Sequence, residues 1–179
     1  MKTTISFSEL SHTGHSCNAV PYGVALVAAY ALKHFGDTIE ARLFKDPTVF
    51  GEYLEKTPPR IACFSSYIWN TNLSLAYAKQ LKQQHPDTVT VFGGPNYPIV
   101  EAEQEAFLLA HPEIDFYVFR DGEEAFVKLL EALQDADCRI DAIKKDQLKI
   151  PSCHYIADGK MVAGDLMPLI ADLNDLPSP

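Results

Sequence analysis

Four stretches gather the side chains able to touch a ligand. They are Ser11-His12-Thr13-Gly14-His15-Ser16-Cys17-Asn18, Ser65-Ser66-Tyr67-Ile68-Trp69-Asn70, Gly93-Gly94-Pro95-Asn96-Tyr97-Pro98 and Arg120-Asp121-Gly122-Glu123-Glu124. In the first, hydroxyls and a glycine can cradle a phosphate, or simply form a polar loop along a cleft. The second holds the single Trp beside a Tyr and two Ser, which suits a large flat ligand with polar edges. Its alternative is structural: Trp69 packs under the next helix and Asn70 caps it. In the third, adjacent glycines remove two side chains, so a ligand or another backbone can come close. The acids of the fourth favour a helix dipole or accept hydrogen bonds from amides and hydroxyls. Neighbours in one turn, they do not face a shared reacting atom as an acid/base pair must.

The elements that hold these stretches follow from periodicity. Five β-rich runs recur: Thr3–Phe7, Thr38–Phe44, Arg60–Ser65, Thr88–Phe92 and Phe116–Phe119. Helical spacing separates them, which predicts a parallel sheet covered on both faces, with the four stretches at its carboxyl edge. The first helix starts near Pro21 with Tyr22, Leu26, Ala29 and Tyr30 on one face. Asp46-Pro47 opens the second, which ends before Pro58-Pro59. The third turns Leu73, Ala76, Tyr77 and Leu81 to the sheet, the fourth Ala102, Ala106 and Leu109, and the fifth Phe126, Leu129, Leu130 and Leu133. Residues 136–150 are charged and weakly periodic, and Asp158-Gly159 marks a tight hairpin between Cys153–Ala157 and Lys160–Ala163.

Composition narrows the possible functions. The 179 residues carry 47% hydrophobic and 22% charged side chains, as expected of a folded module. A net charge of −9 without any basic run argues against nucleic acid as a partner. The most apolar stretch, Val20 to Leu32, is too short to span a bilayer at about 20 residues, and the expected setting is cytoplasmic with no membrane contact. Cys17, Cys63, Cys138 and Cys153 show no metal-ligand spacing and read as reduced, buried thiols.

Taken together, Pro21-Tyr22-Gly23, Ser65-Ser66-Tyr67-Ile68-Trp69-Asn70, Gly93-Gly94-Pro95 and Arg120-Asp121-Gly122-Glu123 resemble the cobalamin-binding domain that precedes the barrel of radical S-adenosylmethionine enzymes. The ending Asp172-Leu173-Asn174-Asp175-Leu176-Pro177-Ser178-Pro179 resembles the linker into that barrel. The resemblance implies an α/β, flavodoxin-like (Rossmann-like) three-layer sandwich with a five-stranded parallel sheet, a C-terminal β-hairpin and a linker. Its implied divisions are residues 1–135 for the cobalamin-binding domain, 136–163 for an extension with the hairpin, and 164–179 for the linker. It further implies a corrin ring over the carboxyl edge, with the nucleotide tail slotted beside the sheet.

Carried over, Ser66-x-Ile68, then 24 residues, then Gly93-Gly94 is similar to the Ser-x-Leu and Gly-Gly elements lining that slot. The implied cofactor contacts come from His15, Ser16, Ser65, Ser66, Tyr67, Ile68, Trp69, Asn70, Gly93, Gly94, Pro95, Asn96, Tyr97, Arg120, Asp121, Gly122 and Glu123. His12 and His15 lack the flanking Asp and Gly of a cobalt-ligating loop, so no histidine ligand is implied. Arg120-Asp121-Gly122-Glu123 stands where the family commonly has Gly-Glu-Gly-Glu. No Cys-x-x-x-Cys-x-x-Cys motif occurs, so a four-iron cluster and S-adenosylmethionine belong to a downstream domain, the expected partner. Two other readings compete. One is a flavodoxin-like FMN protein, with Ser11-x-Thr13-Gly14-x-Ser16 as phosphate loop; the other is a non-catalytic association domain.

Overall fold

Parallel strands need a long crossover between them, and each β-rich run here is followed by a helical stretch, so the chain winds one sheet with helices on both faces. The structure is a computed structural model and describes residues 2–12 and 20–179. Its parallel strands are β1 (Thr3–Ser8), β2 (Ile39–Phe44), β3 (Ile61–Ser65), β4 (Val89–Gly93) and β5 (Phe116–Val118). They lie in the order β2-β1-β3-β4-β5, so the direction of winding reverses between β1 and β3. A crevice opens at the carboxyl ends there.

The sheet is wider than the five strands expected. β6 (Cys153–Ala157) pairs antiparallel with β5, and β7 (Lys160–Ala163) pairs with β6, giving seven strands. The hairpin forms at Asp158-Gly159, whose φ angles of 50° and 74° are those its two-residue turn requires. The hairpin therefore continues the main sheet and covers the edge of β5, which parallel winding alone would leave unpaired. The charged stretch before it holds a short helix, α6 (Ile140–Lys145), that the weak periodicity did not reveal.

Helices α1 (Tyr22–Phe35) and α5 (Gly122–Asp135) cover one face, packing with α6 on Ile5, Phe7, Ile61, Cys63, Val91 and Val118. The other face carries α2 (Pro47–Lys56), α3 (Thr71–Gln84) and α4 (Glu101–Ala110), packed on Ala62, Phe64, Phe92 and Tyr117. Strand alternation puts these two sets on opposite sides. At the start of α2, Asp46 accepts from the amides of Thr48 at 2.8 Å and Val49 at 3.1 Å, with Pro47 in the first turn. The stripe Phe126, Leu129, Leu130 and Leu133 of α5 is buried as its spacing demands.

Helices α3 and α4 sit rotated from the faces their hydropathy predicts, and α1 departs only at its first residue, with Leu26 and Tyr30 buried as expected. In α3 the inward residues are Ser74, Leu75, Ala78 and Leu81, and Ala76 is exposed; in α4 they are Gln104 and Leu108, while Ala102, Ala106 and Leu109 are exposed. Hydrogen bonds explain both. Ser74 Oγ donates to the carbonyl of Ser65 at 3.1 Å, and Gln104 Nε2 to that of Pro98 at 2.8 Å. A polar group that satisfies a loop carbonyl can be buried at little cost. In α1 the buried set is Ala25, Leu26, Ala28, Tyr30 and Ala31, and Tyr22 faces solvent. At the amino edge, Asp115 accepts from the amide and hydroxyl of Thr90 and pairs with Lys82, closing the end away from the crevice.

Candidate functional site

Strand register builds the floor of a cavity. Phe7, Cys63 and Val91 stand side by side on the face under α1 and α5, and one step outward the row is Ser65, Gly93 and Val118. The outer row is mostly small, so space remains between sheet and helices. That space is a slot of about 590 Å³. It falls within the roughly 300–1,000 Å³ typical of small-molecule sites. Val24 and Val27 of α1 and Phe126 of α5 form its roof, and Phe126 meets Phe7 edge to face with ring centroids 5.3 Å apart. The two helices touch closely at Gly122, where a Cβ would lie 2.9 Å from a methyl of Val27.

The loop after β3 is held by Asn70. Its Oδ1 accepts from the amide of Tyr67 at 2.8 Å, and its Nδ2 donates to Ser65 Oγ at 2.9 Å. Buried and bonded back into the loop, Asn70 precedes α3 without capping it by its side chain. Because Ser65 Oγ accepts there, its proton is left to donate into the slot. Ser66 points elsewhere: its hydroxyl bonds Thr71 Oγ1 at 2.9 Å and lies 3.4 Å from the Asn96 carbonyl. The serine that lines the slot is therefore Ser65, one position before the serine of the Ser66-x-Ile68 element.

Trp69 does not pack under α3. It is 54% exposed and stacks on Tyr67 with centroids 4.4 Å apart and planes 7° from parallel; Ile68 is 86% exposed. Together they make an apolar platform beside the mouth, to which Tyr67 alone contributes lining. His12 Nε2 lies 3.0 Å from the Trp69 carbonyl, tying the first loop to this one. Burial, and secondarily Glu9, raises the Tyr67 hydroxyl above its usual range, so it is a neutral donor at ordinary pH.

The two glycines differ. Gly94 has φ 123°, and a Cβ on it would sit 2.7 Å from the Ser66 carbonyl, so the close approach is to the protein's own backbone. Gly93 would meet its nearest protein atom, the Val118 carbonyl, at 3.5 Å, an ordinary contact, and its bare Cα faces the slot. Beyond them Asn96 Nδ2 donates to Thr71 Oγ1 at 2.7 Å, outside the slot. Tyr97 stacks on Tyr117 at 3.8 Å, and Tyr117 donates to the Gly94 carbonyl at 2.9 Å. Burial holds both phenols well above their usual range, so they act as fixed neutral donors.

Arg120, Asp121, Gly122 and Glu123 all line the mouth, with Pro95 and Ile99. His15 and Ser16 lie outside the described residues. The walls contributed by Phe7, Val24, Val27, Cys63, Val91, Val118 and Phe126 carry no signal in the sequence that separates them from ordinary core. Burial raises the Cys63 thiol well above its usual value, making it a small apolar wall and not a nucleophile. Among the described residues no group of three or more His, Cys, Asp or Glu could hold a metal ion, and no helix is long and apolar enough to cross a membrane.

A parallel α/β sandwich with a slot beside its switch point defines a small-molecule binding module, and comparison with known proteins specifies the molecule. The family model described as B12 binding domain matches residues 18–130, and the chain belongs to that family. Cobalamin is the cofactor the family holds. The chain is 29% identical over 121 residues to the cobalamin-dependent radical SAM methyltransferase TokK of Streptomyces tokunonensis, covering 68% of this chain and 16% of that protein. It is 36% identical over 80 residues to a 2-(S-pantetheinyl)-carbapenam-3-carboxylate methyltransferase of Streptantibioticus cattleyicolor, covering 44% of this chain and 11% of that one. The fold is shared with the cobalamin-dependent S-adenosylmethionine radical enzyme OxsB. That solved structure has aqua-cobalamin and S-adenosylmethionine bound; the match has a TM-score of 0.69 at 14% identity and covers 99% of this chain and 24% of OxsB.

Proposed function

We propose that this chain seats cobalamin with the nucleotide tail in the slot and the corrin over the carboxyl edge, beside the Tyr67–Trp69 stack. The observation that carries this reading is the slot itself. Its floor of Ser65, Gly93 and Val118 leaves room for a flat apolar base, and the Ser65 hydroxyl, whose proton is uncommitted, can meet a ring nitrogen of that base. Ile68 and Trp69 give the macrocycle an apolar surface, and Asp121 and Glu123 can accept from its amide side chains. Tyr97 and Tyr117 hold the loop after β4 in place, so the wall exists before the ligand arrives.

Bound cobalamin supplies organocobalt and one-electron chemistry that no side chain provides. The residues of this chain bind it, orient it and shield its tail from water. The chain spans 11% and 16% of the two curated relatives it matches, so the full reaction is a further step of the proposal. In it the module works with a downstream radical S-adenosylmethionine domain carrying an iron–sulfur cluster, in methyl-group chemistry like that named for both relatives. The setting is the cytoplasm, where the buried free thiols of Cys63, Cys138 and Cys153 stay reduced.

Titration with hydroxocobalamin, followed by absorbance and calorimetry, tests the reading. The expected result is saturable binding with one cobalamin per chain, lost at least tenfold in Gly93→Leu, whose side chain fills the slot, with an unchanged melting temperature. Equal binding by Gly93→Leu would place the ligand elsewhere, and no binding by the unsubstituted chain would end the proposal.

A further inference from the structure

A cation stands at the mouth of the slot. Among the described lining residues Arg120 is the single Lys, Arg or His, in a chain whose net charge is −9. Its backbone has φ 68°, the left-handed region. A non-glycine residue there is disfavoured by roughly 1–2 kcal/mol. Among the described residues its guanidinium makes no hydrogen bond and no ion pair, although Asp121 and Glu123 lie close in the chain. Its recorded partner is the Phe119 ring, 5.7 Å from the guanidinium carbon. Loop strain that projects an unneutralised guanidinium over a cavity entrance is a reason to look for an anion there.

We propose that Arg120 binds the phosphodiester of the corrinoid's nucleotide loop and so makes the site select complete corrinoids over those lacking that loop. The inference rests on the cobalamin reading above. Cobalamin has neutral amides around the ring, a benzimidazole at the end of its tail, and a single anionic phosphate between them. With the base inside the slot and the ring outside on the platform, the phosphate has to lie at the mouth, where Arg120 stands. The division of labour is chemical. Asp121 and Glu123 suit the amide N–H groups of the ring, and the guanidinium, with donors in a fixed fork, suits the phosphate oxygens. Tyr67, whose hydroxyl points across the mouth to within 3.5 Å of a Cβ position on Gly23, adds a neutral donor on the far side.

The test compares hydroxocobalamin with the corresponding cobinamide, which lacks phosphate and base, on the full 179-residue chain and its Arg120→Gln and Arg120→Lys variants. Arg120→Gln is expected to weaken cobalamin about five- to tenfold, leave cobinamide unchanged, and flatten the salt dependence of cobalamin binding. Arg120→Lys recovers part of the loss. Equal weakening of both corrinoids, or no weakening of cobalamin, overturns the assignment. Where cobinamide binds too weakly to measure, an unaltered salt dependence in Arg120→Gln overturns it. FMN is the control for another phosphate carrier, and tight FMN binding that depends on Arg120 overturns the assignment to a corrinoid. Failure of the unsubstituted chain to bind cobalamin at all removes the underlying reading, a result distinct from normal binding that ignores Arg120.

Discussion

Gly93 and Gly94 are neighbours that do different jobs. Gly94 lets the loops after β3 and β4 cross: its own geometry and the Ser66 carbonyl leave no place for a Cβ. Gly93 has room for a side chain as far as the protein is concerned, and that room opens into the slot. Gly94→Ala should therefore cost stability, about 1–3 kcal/mol, read from urea or thermal denaturation. A melting curve identical to that of the unsubstituted chain would show that the crossing tolerates a Cβ. Substitution of Gly94 would thus test the fold before it tested the ligand. The adjacent serines divide in the same way, Ser65 facing the slot and Ser66 tying its loop to Thr71.

At the scale of elements, the carboxyl-edge loops are braced from outside the site. Tyr97, after β4, stacks on Tyr117 of β5 and places its hydroxyl 3.3 Å from His154 Nδ1 on β6. The hairpin thereby supports a loop that forms the slot. Desolvation lowers the His154 pKa from its ordinary 6.5, and Glu101, at the start of α4, opposes that shift more weakly. The unfolded chain binds the extra proton first, so stability is full above about pH 6.5 and falls as pH drops toward the lower folded value. Melting temperatures between about pH 7.5 and 5 should decline less in His154→Phe than in the parent. Parallel declines would show that His154 does not govern this window.

The molecule as a whole has two cores, one on each face of the sheet, and the C-terminal third belongs to both. Ile143, Ile150, Cys153, Tyr155, Ala157 and Val162 lie in the core under α1 and α5, and Ile156 and Met161 pack against the other. Residues 164–179 also lie back on the fold: Met167 donates its amide to Ser152 Oγ at 2.9 Å, and Lys33 Nζ donates to the Asp175 carbonyl. A fragment ending at residue 135 would lose those side chains and bare the edge of β5. It should fail to unfold cooperatively and aggregate, as judged by calorimetry and size-exclusion chromatography. A sharp, reversible transition would show that 1–135 folds by itself.

Periodicity and punctuation determined much of this protein. The five parallel strands fall within a residue or two of their β-rich runs, and Asp46-Pro47, Asp158-Gly159 and the Phe126–Leu133 stripe mark their elements because those signals are local. The loops that reach the slot were legible too, since parallel winding puts the residues after β3, β4 and β5 at one carboxyl edge, although Ser66, Gly94 and Asn96 there brace the loops themselves. Only the tertiary structure decided that the hairpin joins the sheet, that Ser74 and Gln104 turn inward, and that Ser65 faces the slot in place of Ser66. Each depends on a partner distant in the chain. The slot is the clearest case: Phe7, Cys63, Val91, Val118 and Phe126 are hydrophobic whether they enclose a cavity or fill one, and hydropathy records the water they avoid, not the space they leave.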